Sequence, residues 1–186
     1  MEPACPTTDE LPALDPWRLI QNAESLPGAD MPLPYRDLLV HEQDMTSTLE
    51  RFHGEPLGLR VLARQLRGEV LERRVVLVGK RSQRPVEVGA IRIYLAAFAD
   101  LPRRAILDGL RPLGSILAHW AVPYLSRPQG FFRVQADAAT AAALELAAGG
   151  SEASLYGRRN ELADPRGPLL AEVVEILPPL ARLGLP

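Results

Sequence analysis

Val70-Leu71-Glu72-Arg73-Arg74-Val75-Val76-Leu77-Val78 and Val86-Glu87-Val88-Gly89-Ala90-Ile91-Arg92-Ile93-Tyr94-Leu95 are two β-branched runs joined by Gly79-Lys80-Arg81-Ser82-Gln83-Arg84-Pro85. Such runs favour strands, and a connection of this length suits an antiparallel pair. Just upstream, Leu57, Leu59, Val61 and Ala63 alternate against Arg60 and Arg64, the period of a half-exposed strand. Downstream, segments 130–135, 154–162 and 169–177 read as further strands, the last two separated by the turn Ala163-Asp164-Pro165-Arg166-Gly167. A meander is the economical topology.

Helical spacing lies outside these runs. Asp15-Pro16-Trp17 offers a cap and a first-turn proline for a short helix to about residue 26. Tyr35, Leu38, Leu39, Met45, Leu49 and Phe52 keep helical intervals until Gly54 and Pro56 stop them, and Asp44 can cap a fresh helix after a break near 41–44. Segments 103–110 and 113–120, interrupted by Arg111-Pro112, and segment 138–148 complete the helices. Strands and helices segregate, so the expected class is α+β, with about six strands in a mostly antiparallel sheet and helices packed on one face.

At 186 residues the chain fits a single domain over 15–186 after a flexible, Pro-rich arm over 1–14. With 47% hydrophobic and 24% charged residues, the bulk is neither disordered nor membrane-embedded. No stretch reaches the ~18 apolar residues that cross a bilayer, and the first ten residues lack the basic and apolar regions of an export signal. The formal net charge of -2 gives no global positive field toward nucleic acid or anionic lipid, although a basic pocket is compatible with it. Cys5 is the only cysteine and cannot form an intrachain disulfide, which points to a reducing cytoplasm.

Whole reaction classes drop out next. His41, His53 and His119 match no zinc spacing and have no cysteine partner, so no metal is expected. There is no Gly-rich phosphate loop and no Gly-x-Ser-x-Gly elbow, so the expected site works without a cofactor. What is left is arginine and carboxylate. Alternation sends Arg73 and Arg74 to opposite faces of their strand, and an arginine facing the interior needs a counter-charge from the protein or from a ligand. Arg158 and Arg159 diverge in the same way, and one of them should be solvated. Glu172 and Glu175, three positions apart, also face opposite ways, so only one can share a site with Arg73. Gly89 and Gly157 interrupt strands, which marks either a bulge or a close approach of another group.

In order along the chain stand Leu38-Leu39 with Asp44-Met45-Thr46 and Arg51-Phe52, then Arg73 opening an aliphatic strand. Pro112-Leu113-Gly114 and Leu155-Tyr156-Gly157-Arg158-Arg159 follow, and after them Pro168-Leu169-Leu170 with a Glu-bearing strand that ends in proline. Together these patches resemble the chorismate lyase family, whose members release pyruvate from chorismate to leave 4-hydroxybenzoate. The resemblance implies a carbon-oxygen lyase of that fold, with Arg73 binding the substrate carboxylate and Glu172 as acid/base, Glu175 being the second choice. It also implies that Met45 and Leu113 line the pocket through their main chains. Gly89 would let the substrate come close to the sheet. Two glutamates where the family pattern has one, and a longer stretch between Gly114 and Leu155, are departures from it. The same fold serves as the ligand-sensing domain of a bacterial repressor family, so the alternative is a non-catalytic domain recognising an aromatic or carboxylate ligand. Such sensors follow a helix-turn-helix domain, whereas the helices before Leu57 read here as part of the pocket. In both readings the partner is a small molecule.

Overall fold

The computed structural model describes residues 16–146 and 154–183, so the expected arm over 1–14 lies outside them. Seven antiparallel strands form one sheet: β1 (Glu24–Leu26), β2 (Leu57–Arg67), β3 (Val70–Gly79), β4 (Pro85–Tyr94), β5 (Leu125–Gln135), β6 (Ser154–Ala163) and β7 (Leu169–Leu177), in the order β1-β5-β6-β7-β4-β3-β2. Two meanders, β2-β3-β4 and β5-β6-β7, meet where β4 pairs with β7. The class is α+β, as expected.

Four helices cover one face: α1 (Tyr35–Leu39), α2 (Met45–His53), α3 (Asp100–Asp108) and α4 (Leu113–His119). The break expected near 41–44 is present. Asp44 caps α2 by accepting from the Ser47 N–H at 2.8 Å, and Gly54 ends the helix in the left-handed region at φ 65°. Two apolar clusters form beneath these helices. One joins Leu71, Ile91, Ile93, Leu162 and Val173 to Ile106, Leu113 and Ile116; the other joins Leu57, Leu77 and Leu177 to Leu38, Leu39, Met45 and Leu49. Full burial of each such side chain contributes about 1.5–3 kcal/mol. The opposite face is sealed by α5 (Ala138–Ala143) and a 3₁₀ turn (Pro16–Ile20) over Val76, Val88, Val134, Val174 and Ile176. A last helix, α6 (Leu180–Leu183), follows β7.

Three local expectations differ from what is observed. The helix read over 15–26 is a single turn followed by strand β1, which lies on the outer edge of β5, with Glu24 opposite Arg133. Three residues are too few to display alternation, so the free edge of β5 sets this strand. β5 begins at Leu125 rather than at 130. It carries Pro128 beyond the reach of β1, where no donor is required, with a register shift between Pro128 and Gly130. The helix read over 138–148 covers Ala138–Ala143, and the end of that expected segment lies outside the described residues.

Neither Gly89 nor Gly157 sits at a bulge, since the register is regular at both. Gly157 is required by close packing: a Cβ there would lie 2.4 Å from the carbonyl oxygen of Glu175 and 2.5 Å from the Phe132 ring. Gly157→Ala should therefore cost about 1–3 kcal/mol in urea unfolding. A neutral result would show that the β6–β7 ladder yields more easily than its packing indicates.

Candidate functional site

Between the two apolar clusters of the helical face lies a cavity of about 60 Å³. A water needs roughly 10–15 Å³ on the same scale, so the space suits a few waters or the polar end of a small acid. Its floor is the sheet, with Arg73, Val75 and Leu77 of β3, Glu87, Gly89 and Ile91 of β4, and Val173 and Glu175 of β7. The roof is made by the starts of α2 and α4, where Met45 and Leu113 are the first helical residues. The Met45 and Thr46 amides belong to the first turn of α2, which has no intrahelical partners for its N–H groups.

Arg73 is 3% exposed, and its Nε and Nη1 are buried without a hydrogen-bond partner. Directly opposite on β2 stands another cation, Arg64, which donates from Nη1 to the Leu107 carbonyl oxygen at 3.1 Å. Burial first, and the neighbouring Arg64 second, push the Arg73 guanidinium down to about 10, so it is still cationic at neutral pH. Arg74 points to the other face, donating to Thr140 Oγ1 at 2.9 Å with Asp137 3.9 Å away.

A second buried arginine is fully satisfied. Arg158, 0% exposed, donates from Nε to Glu175 Oε2 at 2.5 Å. Its Nη1 donates to the Leu39 and His41 carbonyl oxygens at 3.2 and 3.0 Å, and its Nη2 to that of Gln43 at 3.1 Å. These bonds hold the connection between α1 and α2, and through it the start of α2. His41 accepts from the Gln43 N–H at Nδ1, and its Nε2–H donates to the Leu38 carbonyl oxygen at 2.8 Å. Burial, and after it the Arg158 charge, keep its imidazole below the usual range, hence neutral. Arg159, the other member of that pair, is exposed.

Glu87, which with Arg73 and Glu175 makes up the buried charged residues of the cavity floor, is 4% exposed, with Oε2 buried and unpartnered. Burial and then the nearby Glu175 carboxylate hold its carboxyl well above the usual range, against the pull of Arg158. Gly89 makes room for it: a Cβ there would stand 3.0 Å from Glu87 Oε1.

Of the residues singled out from the sequence, Arg73, Met45, Leu113, Gly89 and Glu175 come together at this cavity. Glu172 does not. It faces the opposite side, accepting from Tyr94 Oη at 2.5 Å and from Arg92 Nη1 at 3.3 Å, because three residues along a strand reverse the face. Glu87 and Arg158 were not singled out for the site. Their available signal was a charge inside an otherwise apolar run at Val86-Glu87-Val88 and at Leu155-Tyr156-Gly157-Arg158. Among the described residues no group of three or more His, Cys, Asp or Glu could hold a metal ion, and no helix is long and apolar enough to cross a membrane.

No family model matches the sequence, and no curated protein does either. Solved structures do resemble it. PhnF from Mycobacterium smegmatis is similar at a TM-score of 0.57 and 12% identity, over 77% of this chain and 66% of that one. Its separately solved effector domain gives 0.54 and 12%, over 72% of this chain and 87% of that domain. YydK from Bacillus subtilis, a possible transcriptional regulator, gives 0.50 and 8%, over 66% of this chain and 58% of that one. The chain thus spans less than two thirds of the full PhnF and YydK structures and most of the PhnF effector domain. At such identities the fold is what is shared. The chorismate lyase resemblance therefore stands at the level of a related fold, and the lyase reading is corrected. The structures that share the fold include the effector domain of PhnF and a possible transcriptional regulator, which points away from a lyase. The site agrees with that correction, since the preferred acid/base Glu172 lies outside the cavity and Glu175 is taken up by Arg158.

The folded protein keeps Glu87 protonated to a higher pH than the unfolded chain does. The stability tied to that proton is full below the ordinary carboxyl range and is lost as pH rises through the raised value. Glu87→Gln, permanently neutral, should accordingly melt above the parent near pH ~8 and not near pH ~4. Thermal unfolding at both values checks this, and an offset independent of pH would contradict it.

Proposed function

We propose that this chain is a non-catalytic domain that binds a small anionic molecule, an effector site in which Arg73 meets the ligand's acid group. The observation that carries the reading is the Arg73 guanidinium itself, buried at the cavity with two donor atoms unused and a second arginine opposite. An unpaired buried cation costs several kcal/mol, and a ligand carboxylate or similar anion removes that cost through charge-assisted bonds. Apolar walls from Val75, Leu77, Ile91, Leu113 and Val173 suit an aromatic or aliphatic body attached to the acid. The likeness to the PhnF effector domain supports the same reading.

A panel of small carboxylates, benzoate and 4-hydroxybenzoate among them, should include members that bind, raise the melting temperature and are recovered unaltered. Arg73→Met should weaken that binding roughly 30-fold or more, whereas Arg74→Ala should change it by less than about twofold. The same Arg73→Met protein, free of ligand, should melt higher than the parent, by about 2–4 °C per kcal/mol of relieved desolvation. Calorimetric titration and thermal unfolding measure the two effects. Lower stability together with unchanged binding would mark Arg73 as a structural residue.

A further inference from the structure

The two edges of the sheet differ. At one, β1 offers 3 residues, and its Glu24 is paired with Arg133. At the other, β2 runs for 11 residues and, among the described residues, pairs with β3 alone. Along such an outer edge, alternate residues turn their backbone N–H and C=O groups away from the sheet, where they can take a further strand. The register of β2 shifts between Val61 and Ala63, after which residues 63–67 pair regularly with β3. That regular stretch is the usable part of the edge.

Side chains decide which strand it can take. β2 contains Arg60, Arg64 and Arg67 and no acid. The nearest acids along the chain are engaged elsewhere: Glu55 accepts from the Arg81 and Ser82 amides at 2.7 and 3.1 Å, and Glu69 from Arg103 Nη2 at 2.9 Å. Glu145 meets Arg60 at 3.3 Å, but both side chains are about half exposed, and a pair of that kind contributes little. Arg64 lies against the end of α3, bonded to the Leu107 carbonyl oxygen and 3.6 Å from where a Cβ on Gly109 would stand. Over residues 104–111, Asp108 is the one acid against Arg104 and Arg111. Apolar surface is interleaved with this charge. Leu62 is 43% exposed, Leu66 52% and Leu110, the residue after Gly109, 80%. Leu66 stands two residues from Arg64 and so on the same face.

Charged side chains and a bulge are also the usual guards of an edge against like strands. Here they act selectively. Pairing β2 with a second copy would gather three arginines from each copy into one ribbon with no acid, and like charges across a strand pair are destabilising. The same arginines attract a strand of opposite charge. We propose that the outer edge of β2 over residues 63–67, with the adjoining end of α3, is an interaction surface that receives an acidic, extended segment of a partner protein as an eighth strand. The acids of that segment fall three residues apart, opposite Arg64 on one face and Arg67 on the other, with an apolar residue between them opposite Leu66. Main-chain bonds supply affinity and the arginines supply the choice of partner. This surface is separate from the cavity and stands or falls without it.

The probe is a fluorescent peptide of about nine residues, a strand's length, that repeats glutamate-valine-threonine. Its anisotropy is followed with the full chain, beside a counterpart with lysine for glutamate and one N-methylated at alternate residues. The acidic peptide should bind at least about tenfold more tightly than the lysine peptide, and less tightly as salt rises. N-methylation removes ladder donors and should cost about tenfold or more. Arg67→Glu and Leu66→Ser, both at exposed positions, should melt within about 2 °C of the parent. They should weaken the acidic peptide about fivefold and about threefold. Equal binding of the acidic and lysine peptides, or of the N-methylated and unmodified ones, would overturn the proposal, as would failure of all three to bind. A dimer in sedimentation that Leu66→Ser disperses would assign the edge to a second copy and overturn it too.

Discussion

Arg158 holds the cavity together. It is a fully buried cation that spends one nitrogen on Glu175 and the others on three carbonyl oxygens of the α1–α2 connection. One side chain thereby joins β6, β7 and the roof. Removing one partner of such a pair costs about 3–5 kcal/mol, because the other is left buried and uncompensated. Loss of Arg158 would also free the segment whose next residue, Asp44, caps α2 and borders the cavity. The roof therefore depends on this pair as much as on apolar packing.

Set against Arg158, Arg73 is informative by contrast. Both are buried arginines on the same helical side of the sheet, yet one is saturated with acceptors and the other has two donor atoms with none. A structural arginine is expected to look like Arg158. An arginine whose counter-charge arrives from outside is expected to look like Arg73, with a cavity in front of it and a positive neighbour that raises the field on an incoming anion. The carboxylates divide in the same manner. Glu175 is saturated, Glu172 is turned to the far face and bonded to Arg92 and Tyr94, and Glu87 alone combines burial with an unused oxygen. The floor in front of Arg73 thus carries one carboxylate already paired, that of Glu175, and one carboxyl with an unused oxygen, that of Glu87.

Much of the architecture was legible because strand alternation is a local property. The runs at 57–64, 70–78, 86–95, 154–162 and 169–177 each became a strand, and the Asp44 cap and the Gly54 stop delimited α2. Parity correctly separated Arg73 from Arg74, Arg158 from Arg159 and Glu172 from Glu175. Which member of each pair turns inward was not legible. Parity fixes relative phase only, and absolute phase is decided by register between strands, such as Gly89 opposite Glu175 and Arg73 opposite Ile91. The family resemblance placed Glu172 inside for want of that register. Strand β1 escaped because an edge, rather than a pattern, creates it. Glu87 escaped because a single acid within a valine-rich run carries no periodic signal.

An uncompensated charge in a core is usually removed by selection, since replacing it with an apolar side chain stabilises the fold. On the proposed reading, the Arg73 charge is costly in the free domain and becomes favourable once an anion is bound. The energy lost in the empty state is then returned on binding as differential stability between free and occupied forms. In this domain the stabilised parts are contiguous. Arg73 sits in β3, the cavity it faces is roofed by α2, and α2 is tied through Gln43 and Arg158 to β6 and β7. A molecule neutralising Arg73 thus acts on both meanders and the roof together. The proposed effector role draws on that contiguity, which an isolated surface ion pair would not supply.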